Sequence, residues 1–147
     1  MTEAPRTEPL AFRDIDDVAA AVRNAGGRLT TPRRLVLEAL FAADGLLSAE
    51  QIAHTGVPLD LTSVYRNLEL LEELGVVRHV HVGHGPGLYG LVGDGEREFL
   101  VCERCGKVLA VAPHELDGAR DAIREAFGYE ARFTHFPVHG RCPDCAR

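Results

Sequence analysis

The four cysteines of the chain form two identical brackets, Cys102-Glu-Arg-Cys105 and Cys142-Pro-Asp-Cys145. Two residues between the thiols place both sulfurs of a bracket on one side of a tight turn, so two brackets can surround one ion tetrahedrally. The 36 residues between the brackets, positions 106 to 141, exceed the roughly 15–20 of a zinc ribbon. A whole structural unit must therefore fold between the brackets, and the metal fastens that unit.

Structural Zn²⁺ held by all four cysteines is the expected use of these thiols, with disulfides, redox use and plain burial as alternatives. The chain opens Met1-Thr2-Glu3-Ala4-Pro5, without the basic and apolar segments of a secretory signal. This start predicts a cytoplasmic protein, in which thiols stay reduced. Gly106, directly after the first bracket, can adopt a positive φ and let backbone N–H groups turn toward the thiolates.

The overall composition excludes some partners. No apolar run approaches the roughly 18 residues that a membrane helix needs, so we expect no membrane partner. The net charge of −6 argues against indiscriminate binding to nucleic acid, because Lys and Arg supply most of that affinity. Four arginines nevertheless cluster without an acid between residues 23 and 34. This strip is either a phosphate contact or a solvated face.

The pattern of apolar and turn residues predicts an α+β fold in two parts. Residues 1–12 form a loose leader, 13–92 a winged helix, 93–98 a linker and 99–147 an α/β domain that carries the two cysteine brackets. Four helices are expected, beginning near Asp14, Thr31, Ser48 and Thr62, and then two wing strands over 76–82 and 88–92. Beyond the linker we expect strands at 99–101 and 108–111, a helix over 113–127 and a last strand over 129–138.

The fourth helix is the candidate DNA-reading element. Its apolar stripe leaves Ser63, Tyr65 and Arg66 on another face, near the end where recognition helices meet base edges. Tyr65 can contact a thymine methyl or a phosphate, and Arg66 a phosphate or guanine. The alternative is that Tyr65 packs on a neighbouring helix and Arg66 is solvated.

Three ordered motifs give the chain a family resemblance. They are the stretch from Arg28 to Arg34, the stretch from Thr62 to Gly75, and the two cysteine brackets. Together they resemble the ferric uptake regulator (Fur) superfamily of metal-dependent repressors. The resemblance implies that residues 13–92 are a winged-helix DNA-binding domain and residues 99–147 an α/β dimerisation and metal-binding domain. It implies a homodimer that binds a pseudo-palindromic, A·T-rich operator in double-stranded DNA. It also implies that Arg28 probes the minor groove and that Tyr65 and Arg66 lie on the recognition helix.

Paired histidines are the candidates for a regulatory metal. His79 and His81 lie two apart on a predicted strand, so both rings project to one face, where they chelate one ion or are simply solvated. Imidazole suits Ni²⁺, Zn²⁺, Fe²⁺ or Cu²⁺. The string around these residues resembles the nickel-responsive Nur branch, which implies a site of His79, His81 and His135 with Ni²⁺ favoured and Zn²⁺ or Fe²⁺ possible. In that branch the ion spans the interdomain hinge and sets the angle between the DNA-reading heads.

The resemblance also has a gap. Family members carry histidines three and five residues before the first bracket, where this chain has Phe99 and Arg97. The family's second regulatory site is therefore lost or rebuilt, with Glu96, Glu98 and Asp117 as possible oxygen ligands. This loss weakens the alternatives of an iron- or peroxide-responsive regulator, which depend on such a site. A zinc-responsive regulator stays a further alternative.

Other classes fit the sequence less well. A zinc deaminase needs His-x-Glu and a proline directly before a bracket, and neither is present. No nucleophile elbow or phosphate loop occurs, so we expect no enzyme and no small-molecule substrate. A zinc-fastened interaction module without DNA binding would keep the cysteines and leave Tyr65 and Arg66 without a role.

Overall fold

The computed structural model of the chain describes residues 10–43, 45–93 and 96–147. They form two compact units, called here the N-terminal unit (residues 10–79 and 86–93) and the C-terminal unit (residues 80–85 and 96–147). The elements in chain order are α1 (Ile15–Asn24), α2 (Thr31–Ala42), β1 (Leu47–Ser48), α3 (Ala49–Ala53), α4 (Leu61–Glu73), β2 (Val77–Val80), β3 (Leu88–Leu91), β4 (Glu98–Cys102), β5 (Val108–Val111), a 3-10 turn (Pro113–Leu116), α5 (Asp117–Phe127) and β6 (Val138–Gly140). The α+β prediction is confirmed.

Helix ends in the N-terminal unit follow from local chemistry. Asp14 caps α1, because its carboxylate accepts the Asp17 N–H at 2.8 Å. Ser48 and Gln51 form a reciprocal capping box at α3, as the sequence predicts. Asp60 caps α4 through the Ser63 N–H, so the helix begins at Leu61, one residue before the predicted start at Thr62. Gly75, with φ +78°, ends the same helix region and directs the chain into β2.

The core of the N-terminal unit lies beneath α4. Val64, Leu68 and Leu71 have no solvent exposure and belong to one apolar cluster with residues of α1, α2, α3 and β2. This is the apolar face that the sequence predicts. A three-stranded sheet of order β1-β3-β2 flanks the helices. Strand β1 was not predicted, because its two residues are too few to show an alternating pattern.

Residues 10–12, the described part of the predicted leader, pack against the N-terminal unit. Residues 1–9 lie outside the described residues, but the Leu10 N–H donates to the Gly75 carbonyl at 2.9 Å. Phe12 is buried in the core, with its ring 5.9 Å from that of Phe41. Residues 10–12 are therefore packed, because Phe12 supplies apolar surface to the helices. The centre of the predicted linker, residues 94 and 95, also lies outside the described residues.

The C-terminal unit is a three-stranded sheet of order β5-β4-β6, with β5 antiparallel and β6 parallel to β4. The strand predicted over residues 129–138 is wrong, because only Val138–Gly140 pairs with β4. In the preceding stretch the Phe133 N–H donates to the side chain of Glu98, and the His135 carbonyl accepts the His81 N–H. These backbone groups bond to partners outside the sheet. The alternating apolar and polar residues of this stretch therefore do not form a strand.

The helix α5 is strongly amphipathic, yet no residue on it is buried within the chain. Large apolar side chains of the C-terminal unit remain exposed, among them Leu109, Phe127, Tyr129 and Phe136. Across the described residues, none of the helices has both the length and the apolar character needed to cross a bilayer.

Candidate metal centres

The sheet of the C-terminal unit brings the two cysteine brackets together. β4 ends at Cys102, and its parallel neighbour β6 ends two residues before Cys142, with Cys102 opposite Gly140 in the register. Because the two strands run in the same direction, both brackets leave the sheet at the same edge. The four sulfur atoms lie within 4.8 Å of one another.

The sulfur geometry suits Zn²⁺. Tetrahedral coordination at about 2.3 Å per Zn–S bond separates two sulfurs by about 3.8 Å. The Sγ atoms of Cys105 and Cys142 are 3.8 Å apart. All four predicted ligands, Cys102, Cys105, Cys142 and Cys145, are thus gathered at spacings that a single ion could bridge.

Hydrogen bonds prepare one thiol for metal binding. The backbone N–H groups of Cys142 and Cys105 point at Cys102 Sγ, at 3.4 and 3.5 Å, and lower the pKa of Cys102 to about 6. Gly106 has the expected positive φ of +76°, although its own N–H donates to the Cys102 carbonyl. In contrast, the hydrogen bond to Cys142 and the loss of solvation raise the pKa of Cys145 to about 12. A nearby cation is therefore needed to hold Cys145 as a thiolate.

His81 and His135 form a second cluster within the C-terminal unit. Their ring centroids are 5.0 Å apart at 80°, and their ligand nitrogens lie within 4.8 Å. The His81 N–H donates to the His135 carbonyl at 3.2 Å, so the backbone segments that carry the two histidines are hydrogen-bonded to each other. Phe136 stacks on His81, and His135 is only 3% exposed. The structure therefore brings together two of the three predicted ligands in a small, sheltered and partly aromatic setting.

His79, the third predicted ligand, lies on β2 in the N-terminal unit. Its Nδ1 hydrogen bonds to both carboxylate oxygens of Glu72, at 2.8 and 2.6 Å, and its ring centroid is 5.7 Å from that of Tyr89. Sequence reasoning missed Glu72. The residue sits on a helix among other acids, and no spacing rule links it to a histidine seven positions further on.

Two carboxylates considered as oxygen ligands are committed elsewhere. Glu98 is 1% exposed and accepts hydrogen bonds from the Arg120 guanidinium and from the Phe133 N–H. Asp117 binds the same guanidinium at 2.8 Å, and the Pro113 carbonyl accepts from it as well. Arg120 is therefore the cation that these oxygens surround. His84 and His139 are exposed, on a turn and on β6 respectively.

The predicted DNA contacts lie at two places in the N-terminal unit. Arg28 is exposed just before α2, and its carbonyl accepts from the Arg33 guanidinium at 2.9 Å. Ser63, Tyr65 and Arg66 occupy the first turns of α4, where Arg66 is exposed. The Tyr65 hydroxyl donates to Glu50 Oε1 at 3.1 Å on the neighbouring helix.

Burial and then this hydrogen bond raise the pKa of Tyr65. The half-buried ring packs against the apolar core, while its hydroxyl is held near the surface by Glu50. The packing that the sequence offered as the alternative use of Tyr65 is thus present, together with a polar anchor that the sequence did not predict.

Comparison with known proteins finds similar sequences and a similar fold. A ferric uptake regulation protein of Neisseria meningitidis is 30% identical over 132 residues, covering 86% of this chain and 91% of that protein. A zinc uptake regulation protein of Mycobacterium tuberculosis is 27% identical over 125 residues, covering 82% and 96%. The ferric uptake regulator Fur of Helicobacter pylori superposes with a TM-score of 0.67 at 18% identity, over 90% of this chain and 91% of that one.

The model of the ferric uptake regulator family matches residues 24–138, which span both units and the first cysteine bracket. Proteins of this family are metal-responsive transcription regulators that bind DNA as dimers, and they are not enzymes. This chain belongs to the ferric uptake regulator family.

Proposed function

We propose that this protein is a repressor of metal-homeostasis genes whose operator binding depends on a divalent ion held by His79, His81 and His135. The observation that carries the proposal is the His81–His135 pair, sheltered and with its ligand nitrogens within 4.8 Å. His79 lies on β2, which ends at Val80, and His81 follows directly. The spacing of two residues supports a role for both rings as ligands of one ion. Three imidazoles can bind one ion with positions left for water.

Nickel is the ion that we propose for this site. Three imidazole ligands suit Ni²⁺, and the sequence around His79 resembles the nickel-responsive branch of the family. The names of the curated relatives refer to iron and zinc for those proteins, so Zn²⁺ and Fe²⁺ are the competing ions. The thiolate cluster is assigned to a structural Zn²⁺ because a tightly held ion does not follow changes in free metal.

The N-terminal unit is proposed to be a winged helix that reads DNA through α4. Arg66 and Arg28 present exposed cations, and Ser63 and Tyr65 stand beside Arg66 at the start of the helix. The operator is proposed to be an A·T-rich pseudo-palindrome, because a two-fold symmetric protein recognises two related half-sites. Such a repressor would act in the cytoplasm.

The C-terminal unit is proposed to join two copies of the chain. β5 and α5 leave Leu109 and Phe127 at 49% and 75% exposure. Exposed apolar residues gathered in one unit are typical of an interface, since isolated domains seldom leave such surface in water. An isologous contact of this surface with its own copy gives the homodimer.

The test is metal-dependent DNA binding by the zinc-loaded protein. Fluorescence anisotropy on a set of A·T-rich palindromic duplexes is measured without added metal and then with Ni²⁺, Zn²⁺ or Fe²⁺. We expect Ni²⁺ to produce the tightest complex and His79→Ala to abolish the metal response. His84→Ala, at the exposed turn, is the matched control and should respond like the parent.

Two further variants separate the parts of the proposal. Arg66→Ala should weaken the metal-bound complex by about 1–3 kcal/mol if the guanidinium contacts a base. Cys142→Ser should release the structural zinc, measured by metal analysis, and lower the thermal stability of the dimer. A protein that binds no duplex under any metal condition would instead be a zinc-fastened interaction module. A His79→Ala variant that keeps its nickel response would remove the assigned regulatory site.

A further inference from the structure

His79 is held by a carboxylate that comes from the candidate reading helix. Glu72 lies in the last turn of α4, and both of its oxygens are within 2.8 Å of His79 Nδ1. The Glu72 and His79 side chains are only 15% and 17% exposed, so water competes weakly for this contact. Tyr89 flanks the imidazole at 5.7 Å between ring centroids. The ring is therefore fixed in orientation before any ion arrives.

We infer that Glu72 is the positioning residue through which metal binding at His79 is transmitted to α4. The inference deepens the proposed function and rests on it, because it takes His79 as a ligand of the regulatory ion. With Nδ1–H donated to Glu72, the ring presents the lone pair of Nε2 to the metal. A carboxylate on the far side of a ligating imidazole orients the ring and strengthens it as a donor.

The backbone makes the end of α4 a rigid point of attachment. The Gly75 N–H donates to the Glu72 carbonyl at 3.0 Å, and the Val76 N–H donates to the Leu71 carbonyl at 3.0 Å. The chain then enters β2 and reaches His79, whose ring returns to Glu72. The segment from Glu72 to His79 is thus held by backbone hydrogen bonds at the end of the helix and by the contact between the Glu72 and His79 side chains.

The helix carries this restraint to the candidate DNA contacts. Nine residues separate Glu72 from Ser63, which is about 14 Å at 1.5 Å per residue. Between them Val64, Leu68 and Leu71 have no solvent exposure, so the helix is packed along its length and moves as one piece. Restraining its last turn therefore restrains the direction in which its first turns, with Arg66, face the DNA.

Two exposed neighbours provide matched comparisons. Glu69 and Glu73 lie on the same helix, one turn before Glu72 and directly after it, and both are exposed. They share the charge and the helix but face solvent. Glu73→Ala therefore controls for the loss of one carboxylate from α4, and Glu72→Gln keeps a hydrogen-bond acceptor for Nδ1–H while removing the charge.

The test uses the full-length zinc-loaded protein and Ni²⁺ alone, so no operator is required. Nickel affinity is measured by calorimetry, the state of the His79 ring by ¹⁵N NMR, and the protection of α4 amides by hydrogen exchange with and without Ni²⁺. We expect Glu72→Ala to lose about 10–100-fold in nickel affinity. The metal-induced protection of α4 should also disappear, and Glu72→Gln should recover part of both effects. Glu73→Ala should match the parent.

The outcomes distinguish the inference from the function beneath it. Nickel affinity and α4 protection unchanged in both Glu72→Ala and Glu72→Gln would overturn the positioning role while leaving the histidine site in place. A loss of affinity with α4 protection intact would overturn the transmission to the helix. If His79→Ala binds Ni²⁺ as the parent does, the regulatory site itself is misassigned and the inference falls with it. Should Glu72→Ala fail to fold, Glu72→Gln gives the same comparison.

Discussion

At the scale of single residues, Glu98 shows how one buried charge organises the C-terminal unit. It is 1% exposed at the start of β4, where its carboxylate accepts from the Arg120 guanidinium on α5 and from the Phe133 N–H. The second contact lies two residues from His135. Because buried carboxylates need compensating partners, this residue ties together a strand, a helix and the segment that carries a candidate ligand.

Replacing Glu98 by Ala should destabilise the unit. The Phe133 N–H and the guanidinium would lose their shared acceptor, and one unsatisfied buried group costs about 1–3 kcal/mol. Chemical denaturation followed by circular dichroism measures the change. Asp121→Ala is the control, since its ion pair with Arg124 is exposed and should matter by about 0–1 kcal/mol. Equal effects of the two variants would contradict the assigned importance of burial.

The raised pKa of Tyr89 predicts that the folded protein loses stability at alkaline pH. Burial, and then the charge of Glu72, raise the pKa of Tyr89 to about 12 from an ordinary value of 10.0. The unfolded chain therefore loses this proton before the folded one, so stability is complete below pH 10 and falls as the pH rises toward 12. The free energy of unfolding, measured by chemical denaturation at a series of pH values, should fall less steeply between pH 10 and 12 for Tyr89→Phe than for the parent. Identical slopes would show that the phenol titrates normally in the fold.

Residue types with strict spacing were predictable from the sequence, and long-range partners were not. The four cysteines form two brackets of equal spacing, which made their cluster predictable, and their sulfurs lie within 4.8 Å of one another. Glu72 and Glu98 look like ordinary acids in acidic stretches. Their roles arise only when the fold brings His79 and Arg120 to them, which no local pattern encodes.

Among the elements of secondary structure, the helices were predictable because the residues that cap them lie close together in the sequence. The Ser48 hydroxyl accepts the Gln51 N–H at 3.1 Å, and Gln51 Oε1 accepts the Ser48 N–H at 2.8 Å. This capping box was visible in the sequence because its two members are three residues apart. Strands were less readable, since β1 is only two residues long and the stretch before β6 alternates without pairing.

Removing the cap should weaken α3 measurably. Ser48→Ala deletes the acceptor for one otherwise unbonded N–H group at the start of the helix, which costs about 1 kcal/mol. Ser48 is buried, so water does not replace it well. Thermal unfolding should show a lower midpoint for Ser48→Ala and little change for Ser48→Thr, which retains a hydroxyl. A Thr variant as unstable as the Ala variant would point to packing rather than capping.

For the chain as a whole, the notable feature is that apolar side chains on α5 and β5 remain exposed to solvent. No α5 residue is buried, and Leu109 on β5 is 49% exposed. Amphipathic patterning alone predicted that α5 has an apolar face. It could not say that this face would stay open within the chain, because that depends on which elements pack against the helix.

Leu109→Asp should dissociate the dimer, because a desolvated carboxylate in an apolar contact is strongly unfavourable. Sedimentation velocity at micromolar protein should show monomers for this variant and dimers for the parent. Leu61→Asp is the control, since Leu61 is 39% exposed on α4 in the other unit and should leave association unchanged. A dimeric Leu109→Asp protein would place the interface elsewhere.

The exposed apolar residues of α5 and β5, proposed here as the dimer contact, and the proposed DNA-reading face of α4 belong to different units of the same chain. If both proposals hold, a mutation that disrupts α4 leaves the proposed dimer contact intact. In a cell that makes both versions, a defective copy would capture normal ones in mixed pairs with only one working head. Damage to the reading helix would be inherited as a dominant-negative trait, whereas damage to α5 or β5 would be recessive.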